Sequence, residues 1–77
     1  MLKLCNCLKE LRARHGLTQE KLADAVGVTR QTIIAIEGGN YSPSVFLALR
    51  IARRLKVPLE EVFWLEDGGG GGGAQQQ

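Results

Sequence analysis

Glycine interrupts this chain at Gly16, Gly27 and Gly38-Gly39, and each stop is followed within a few residues by a helix-starting signal. Glycine tolerates the left-handed backbone that ends a helix. Thr18, Thr29 and Ser42 stand after those stops, and a Ser or Thr side chain accepts hydrogen bonds from the free N–H groups of a first helical turn. The chain is therefore cut into helices too short to stand without neighbours. Between the stops, apolar residues recur at helical spacing. Leu4, Leu8 and Leu11 fall at i, i+4 and i+7 and predict a first helix ending near Arg14-His15. Leu22, Ala23 and Val26 predict a second over Gln19 to about Val26, and Ile33 and Ile36 are the inward positions of a third from Arg30 to about Glu37. Ser42-Pro43, a cap with proline at the first helical position, opens a fourth that runs to about Leu55. Val57-Pro58 breaks it, and Leu59 to Leu65 reads as a short fifth with Glu60 and Glu61 in its first turn. No stretch alternates with period two for long enough to predict a strand. The expected fold is all-α, a compact five-helix bundle.

Length bounds what such a bundle can be. The last ten of the 77 residues are Gly68 to Gly73, Ala74 and Gln75 to Gln77, which bury no apolar surface and are expected to form a flexible tail. Residues 1–67 are then a single folding unit. A domain of about 60 residues buries only ~60% of its chain surface, which leaves no room for a second domain or a deep enclosed active site. No apolar run approaches the ~20 residues of a membrane span. Lys3 and Asn6 interrupt the N-terminus, unlike a secretory leader. Two cysteines two positions apart are not a disulfide framework, so the expected location is cytoplasmic. Charge is unevenly spread. Residues 1–56 hold all ten basic side chains against four acidic ones, a net +6, while residues 57–77 carry −4. A basic body suits either an anionic partner or plain solvation.

The functional signal lies in residues 18 to 37, T-Q-E-K-L-A-D-A-V-G-V-T-R-Q-T-I-I-A-I-E. Two short helices are joined by a turn at Gly27-Val28-Thr29, with small Ala23 at the crossing and apolar Val28 in the turn. Close crossing of two helices needs a small residue at the contact and a glycine in the turn. This is the helix-turn-helix arrangement, whose second helix enters a DNA major groove.

Around that core, L-K-E-L-R at 8–12, G-L-T-Q-E-K-L-A at 16–23, G-V-T-R-Q-T-I at 27–33, I-E-G-G at 36–39, Y-S-P-S at 41–44 and I-A-R-R-L-K-V-P-L-E-E-V-F at 51–63 follow one another at matching spacing. From about Leu8 to Leu65 the chain resembles the Xre type of helix-turn-helix regulator, the family of the phage repressors and Cro. It is closest to the minimal, single-domain members. The resemblance implies a lambda repressor-like five-helix bundle that binds operator DNA, usually as a homodimer, to regulate transcription, most often as a repressor. It also implies roles. Thr29, Arg30, Gln31 and Thr32 would face base edges, where arginine pairs bidentately with guanine, glutamine with adenine, and threonine offers a hydroxyl or a methyl. Thr29 could equally serve as a cap. Ile34, one turn on, is open either to a thymine methyl or to a subunit seam. Gln19, Asn40, Tyr41 and Ser42 would meet the DNA backbone. Arg12 and Glu37 would form a structural ion pair that fixes the third helix.

The remaining residues point away from chemistry. Cys5 and Cys7 could bind zinc only with two more ligands, and the chain offers one histidine, His15. No triad, paired-carboxylate site or phosphate-binding glycine loop is present, so no enzyme, metal or cofactor is expected. Arg50, Arg53, Arg54 and Lys56 could line a duplex backbone or face solvent. Phe46, Phe63, Trp64 and Leu65 are more apolar bulk than so small a bundle easily hides, and they mark the C-terminal helix and its neighbour as the expected dimer interface. Besides duplex DNA and a second copy, a toxin or other masked protein is the alternative partner, since antitoxins often use the same fold.

Overall fold

The computed structural model describes residues Met1–Asp67; the tail expected over 68–77 lies outside the described residues. In chain order the elements are β1 (Leu2–Asn6), α1 (Leu8–Arg14), α2 (Gln19–Val26), α3 (Arg30–Glu37), α4 (Val45–Leu55), α5 (Leu59–Val62) and β2 (Phe63–Asp67). Two glycine-terminated helices have the expected bounds because their ends are local chemistry. Thr18 and Thr29 adopt extended backbone, and their hydroxyls accept from the Lys21 and Thr32 N–H groups. Gly27 closes α2 in the left-handed conformation at φ 80°. α4 starts two residues later than its proline suggested. Ser44, not Ser42, accepts from the Leu47 N–H, and Pro43 precedes that cap. Ser44 has the extended backbone of a cap, at φ −62° and ψ 159°, so Pro43 lies outside the helix.

The fold is not strictly all-α. β1 and β2 pair antiparallel and form a two-stranded sheet that joins the two ends of the described chain. The register sets Leu2 opposite Asp67, Lys3 opposite Glu66, Leu4 opposite Leu65, Cys5 opposite Trp64 and Asn6 opposite Phe63. Leu4 therefore belongs to a strand rather than to the first helix, and α5 stops at Val62, three residues short of the expected Leu65. Both errors have one cause. Five residues of strand leave too short an alternation to stand out, and the partner that stabilises them lies some sixty residues away. Locally, Leu4 fits the i, i+4 stripe of Leu8 as well as it fits a strand.

The core holds Leu8 and Leu11 of α1, Leu22, Ala23 and Val26 of α2, Ile33 and Ile36 of α3, five residues of α4, Val62 and Phe63. Val28 packs on its edge and plugs the turn between α2 and α3. No polar or charged residue is fully buried among the described residues. Phe63 is thus spent inside its own chain and offers no surface to a dimer partner, whereas Phe46 and Leu65 remain 70% and 61% exposed. Among the described residues, no helix is long and apolar enough to cross a membrane.

Candidate nucleic-acid interface

The helix-turn-helix is α2, the Gly27-Val28-Thr29 turn and α3. At the leading end of α3, Arg30 and Gln31 are exposed, as base readers must be. Thr29 and Thr32 are tied to one another. The Thr32 N–H donates to the Thr29 hydroxyl at 3.3 Å, and the two hydroxyl oxygens lie 3.2 Å apart. Thr29 therefore acts as the cap of α3. Ile34 and Ala35 are half-buried, so Ile34 projects less freely than its place beside inward Ile33 suggests.

Behind this end runs a chain of side-chain hydrogen bonds. Arg12 donates from Nε to Glu37 Oε2 at 2.7 Å and from a terminal nitrogen to Oε1 at 3.3 Å. Its other terminal nitrogen donates to the Leu17 carbonyl at 2.9 Å. Gln19 Nε2 donates to Glu37 Oε1 at 3.2 Å, and Gln19 Oε1 accepts from Arg30 Nε at 3.3 Å. The ion pair on α1 and α3 is thereby linked through the first residue of α2 to the first residue of α3. Two consequences follow. Gln19 is oriented by Glu37, with one amide hydrogen left for a phosphate oxygen. Arg30 is held through Nε, with its two terminal nitrogens left for a bidentate acceptor. Arg12, Thr18, Gln19, Glu20 and Arg30 line an open cleft of about 470 Å³ between the leading ends of α2 and α3. Arg12 is already neutralised by Glu37, so the free cation of this cleft is Arg30, which stands near the Glu20 carboxylate.

At the far end of α3 the chain turns through Gly38 and Gly39. Asn40, Tyr41 and Ser42 are all exposed, and the Asn40 N–H donates to the Ala35 carbonyl at 2.9 Å. The expected backbone-contacting residues thus fall in two groups, Gln19 at one end of the helix pair and Asn40 to Ser42 at the other. Asn6 carries no role in the sequence reading, yet it ties the sheet to α3. Its Nδ2 donates to the Ile36 carbonyl at 2.9 Å, and its Oδ1 accepts from the Leu8 N–H at 3.0 Å. An asparagine two residues ahead of a helix is a signal for the second bond. Nothing in the sequence signals the first. Cys5 and Cys7 are both half-buried and unbridged, and no group of three or more potential metal ligands gathers among the described residues. The Cys5 thiol is pushed up from its ordinary value, first by burial and then by the Glu66 carboxylate beside it, with Lys3 opposing.

Comparison with known proteins agrees with this geometry. A helix-turn-helix family model, HTH_3, matches residues 8–62. The chain is 58% identical over 62 residues to the HTH-type transcriptional regulator YgzD of Bacillus subtilis, covering 80% of this chain and 94% of that one. It is 56% identical over 62 residues to an HTH-type regulator of Methanocaldococcus jannaschii, with the same coverage. Among solved structures, the restriction-modification controller protein C.AhdI of Aeromonas hydrophila superposes with a TM-score of 0.66 at 35% identity, over 70% of this chain and 82% of that one.

Proposed function

The chain belongs to the HTH_3 helix-turn-helix family of DNA-binding transcriptional regulators, and from that premise we propose that it is a repressor that reads a specific operator with α3 in the major groove, as a homodimer. The observation that carries this reading is the chain from Arg12 through Glu37 and Gln19 to Arg30. It orients one phosphate donor and one base reader before any DNA arrives. Pre-organised donors lose less freedom on binding than mobile ones. Arg30 and Gln31 then read base edges, a good bidentate pair discriminating by roughly 1–3 kcal/mol. Gln19 on one side and Asn40, Tyr41 and Ser42 on the other engage the two backbones that flank the groove.

The dimer is assigned to the sheet. Leu2, Leu4 and Leu65 share one sheet face by register, and all three are exposed. Half-buried Trp64 lies on the opposite face. A two-fold dimer that reads two half-sites one turn apart needs its two α3 helices roughly 34–36 Å apart.

Selection from random duplexes at fixed salt tests the reading. Wild type should enrich a two-fold symmetric site, and Arg30→Ala and Gln31→Ala should each relax preference at one or two base positions. Affinity should fall with log salt at a slope near −0.9 per phosphate neutralised. Absence of any enriched sequence would refute sequence-specific reading. A monomer by sedimentation at micromolar concentration, bound to half-sites only, would refute the dimer.

A further inference from the structure

We propose that the outer face of α4 docks an acidic, amphipathic segment of a partner protein. This goes beyond DNA reading and does not depend on it. The inner face of α4 is core. Its outer face divides along the helix axis. The first half exposes three large apolar side chains, Val45 at 72%, Phe46 at 70% and Leu49 at 50%. The second half exposes Arg50, Arg53 and Arg54, followed by Lys56. Phe46, Arg50, Arg53 and Arg54 fall at i, i+4, i+7 and i+8, one continuous stripe. Arg50 links the halves, its guanidinium carbon 5.6 Å from the centre of the Phe46 ring. With Ala25 of α2 this stripe and Lys56 line a shallow cleft of about 550 Å³.

Two features point to an acidic segment with apolar anchors. Neither ion pair among the described residues involves any of the four cations, so their charge is uncompensated on the surface. Arg53, Arg54 and Lys56 do suit the negative end of the helix dipole, but that does not account for three exposed apolar neighbours. A duplex backbone would satisfy the cations and leave Val45, Phe46 and Leu49 in water. Position argues the same way. The cleft opens at the Ala25 end of α2, and the Arg50 guanidinium lies against Gly27, so close that a Cβ there would sit 3.3 Å from it. The Gln19–Arg30 bond lies toward the opposite end of α2, Gln19 being about 9 Å along the helix from Ala25 at ~1.5 Å per residue. An occupant fitting both halves carries Asp or Glu beside Leu or Phe. The protein could hold it while bound to DNA.

The test uses the full chain and a short fluorescein-labelled peptide of glutamates with leucines at helical spacing and one phenylalanine. An all-glutamate peptide is the control. The amphipathic peptide should bind saturably and the control at least tenfold more weakly. Arg53→Glu with Arg54→Glu, and separately Phe46→Ala, should each weaken peptide binding about tenfold, measured well below each variant's melting transition. Affinity for the selected duplex should stay within about twofold for Phe46→Ala, and saturating duplex should not displace the peptide. Equal binding of the two peptides would overturn the proposal, as would indifference to the substitutions. Displacement by duplex, with a matching loss of DNA affinity in Phe46→Ala, would assign the face to DNA. A shift of the sedimentation state in either variant would assign it to a second copy.

Discussion

Removing Glu37 should cost this protein both stability and DNA affinity. The carboxylate accepts three hydrogen bonds, two from Arg12 at 2.7 and 3.3 Å and one from Gln19 at 3.2 Å. The two charged side chains are 14% and 8% exposed, so the pair is largely shielded from water. Breaking a buried pair by deleting one partner typically costs ~3–5 kcal/mol, because the other charge is left behind. Arg12 retains some water and its bond to the Leu17 carbonyl, which places Glu37→Ala near the lower end, at about 3 kcal/mol. A domain of this size loses ~4–8 °C of melting temperature per kcal/mol, so a fall of about 12–24 °C is expected. DNA affinity should drop beyond what unfolding explains, measured well below the transition, because Gln19 loses the group that orients it. Arg12→Met combined with Glu37→Leu should recover most of the stability, since an apolar pair of similar volume replaces a buried ion pair at little cost. It should not recover the affinity. A melting temperature for Glu37→Ala within about 3 °C of wild type, or a double variant no more stable than the single, would show that the pair does not anchor α3.

Other perturbations separate the remaining contacts. Asn6→Asp keeps the acceptor for the Leu8 N–H but sets a carboxylate against the Ile36 carbonyl. It should cost about 1–3 kcal/mol and speed amide hydrogen exchange in the last turn of α3, and unchanged exchange there would exclude the strap. Lys56 ends α4 in the left-handed conformation at φ 61°, which costs a non-glycine residue ~1–2 kcal/mol. Lys56→Gly relieves that against a gain in unfolded-chain entropy of ~0.4–1 kcal/mol, so thermal denaturation should show net stabilisation of about 0.5–1 kcal/mol. Burial and the Glu66 charge both disfavour the Cys5 thiolate, so its alkylation rate should rise with pH later than that of an ordinary thiol. Glu66→Gln removes one of those causes and should move the midpoint down; a midpoint that stays or moves up would contradict it.

Legibility in the sequence follows the range of the interaction responsible. The helix-turn-helix was open to reading because its limits are set by neighbours. Thr18 caps through Lys21, Thr29 through Thr32, and Gly27 turns on its own backbone freedom. None of these reaches beyond four residues, so the bounds of α2 and α3, the inward residues Leu22, Val26, Ile33 and Ile36, and the exposure of Arg30 and Gln31 are all written locally. The pairing of Arg12 with Glu37 is long-range. It was available only through resemblance to a family, and the structure supplies the geometry.

Tertiary structure alone decided the rest. The sheet pairs residues 2–6 with residues 63–67, and a strand has no internal hydrogen bonds to announce itself without its partner. That pairing moves Leu4 off the first helix and turns Phe63 into the core. It also exposes Leu65 beside Leu4, and brings Asn6 within reach of the Ile36 carbonyl. The same holds for Gln19, whose sequence position marks a helix start and a phosphate donor. Only the packing of α2 across α3 sets its amide between Glu37 and Arg30. Caps and turns are chosen by the residues beside them, whereas strand pairing and side-chain networks form only once the core has brought distant segments together.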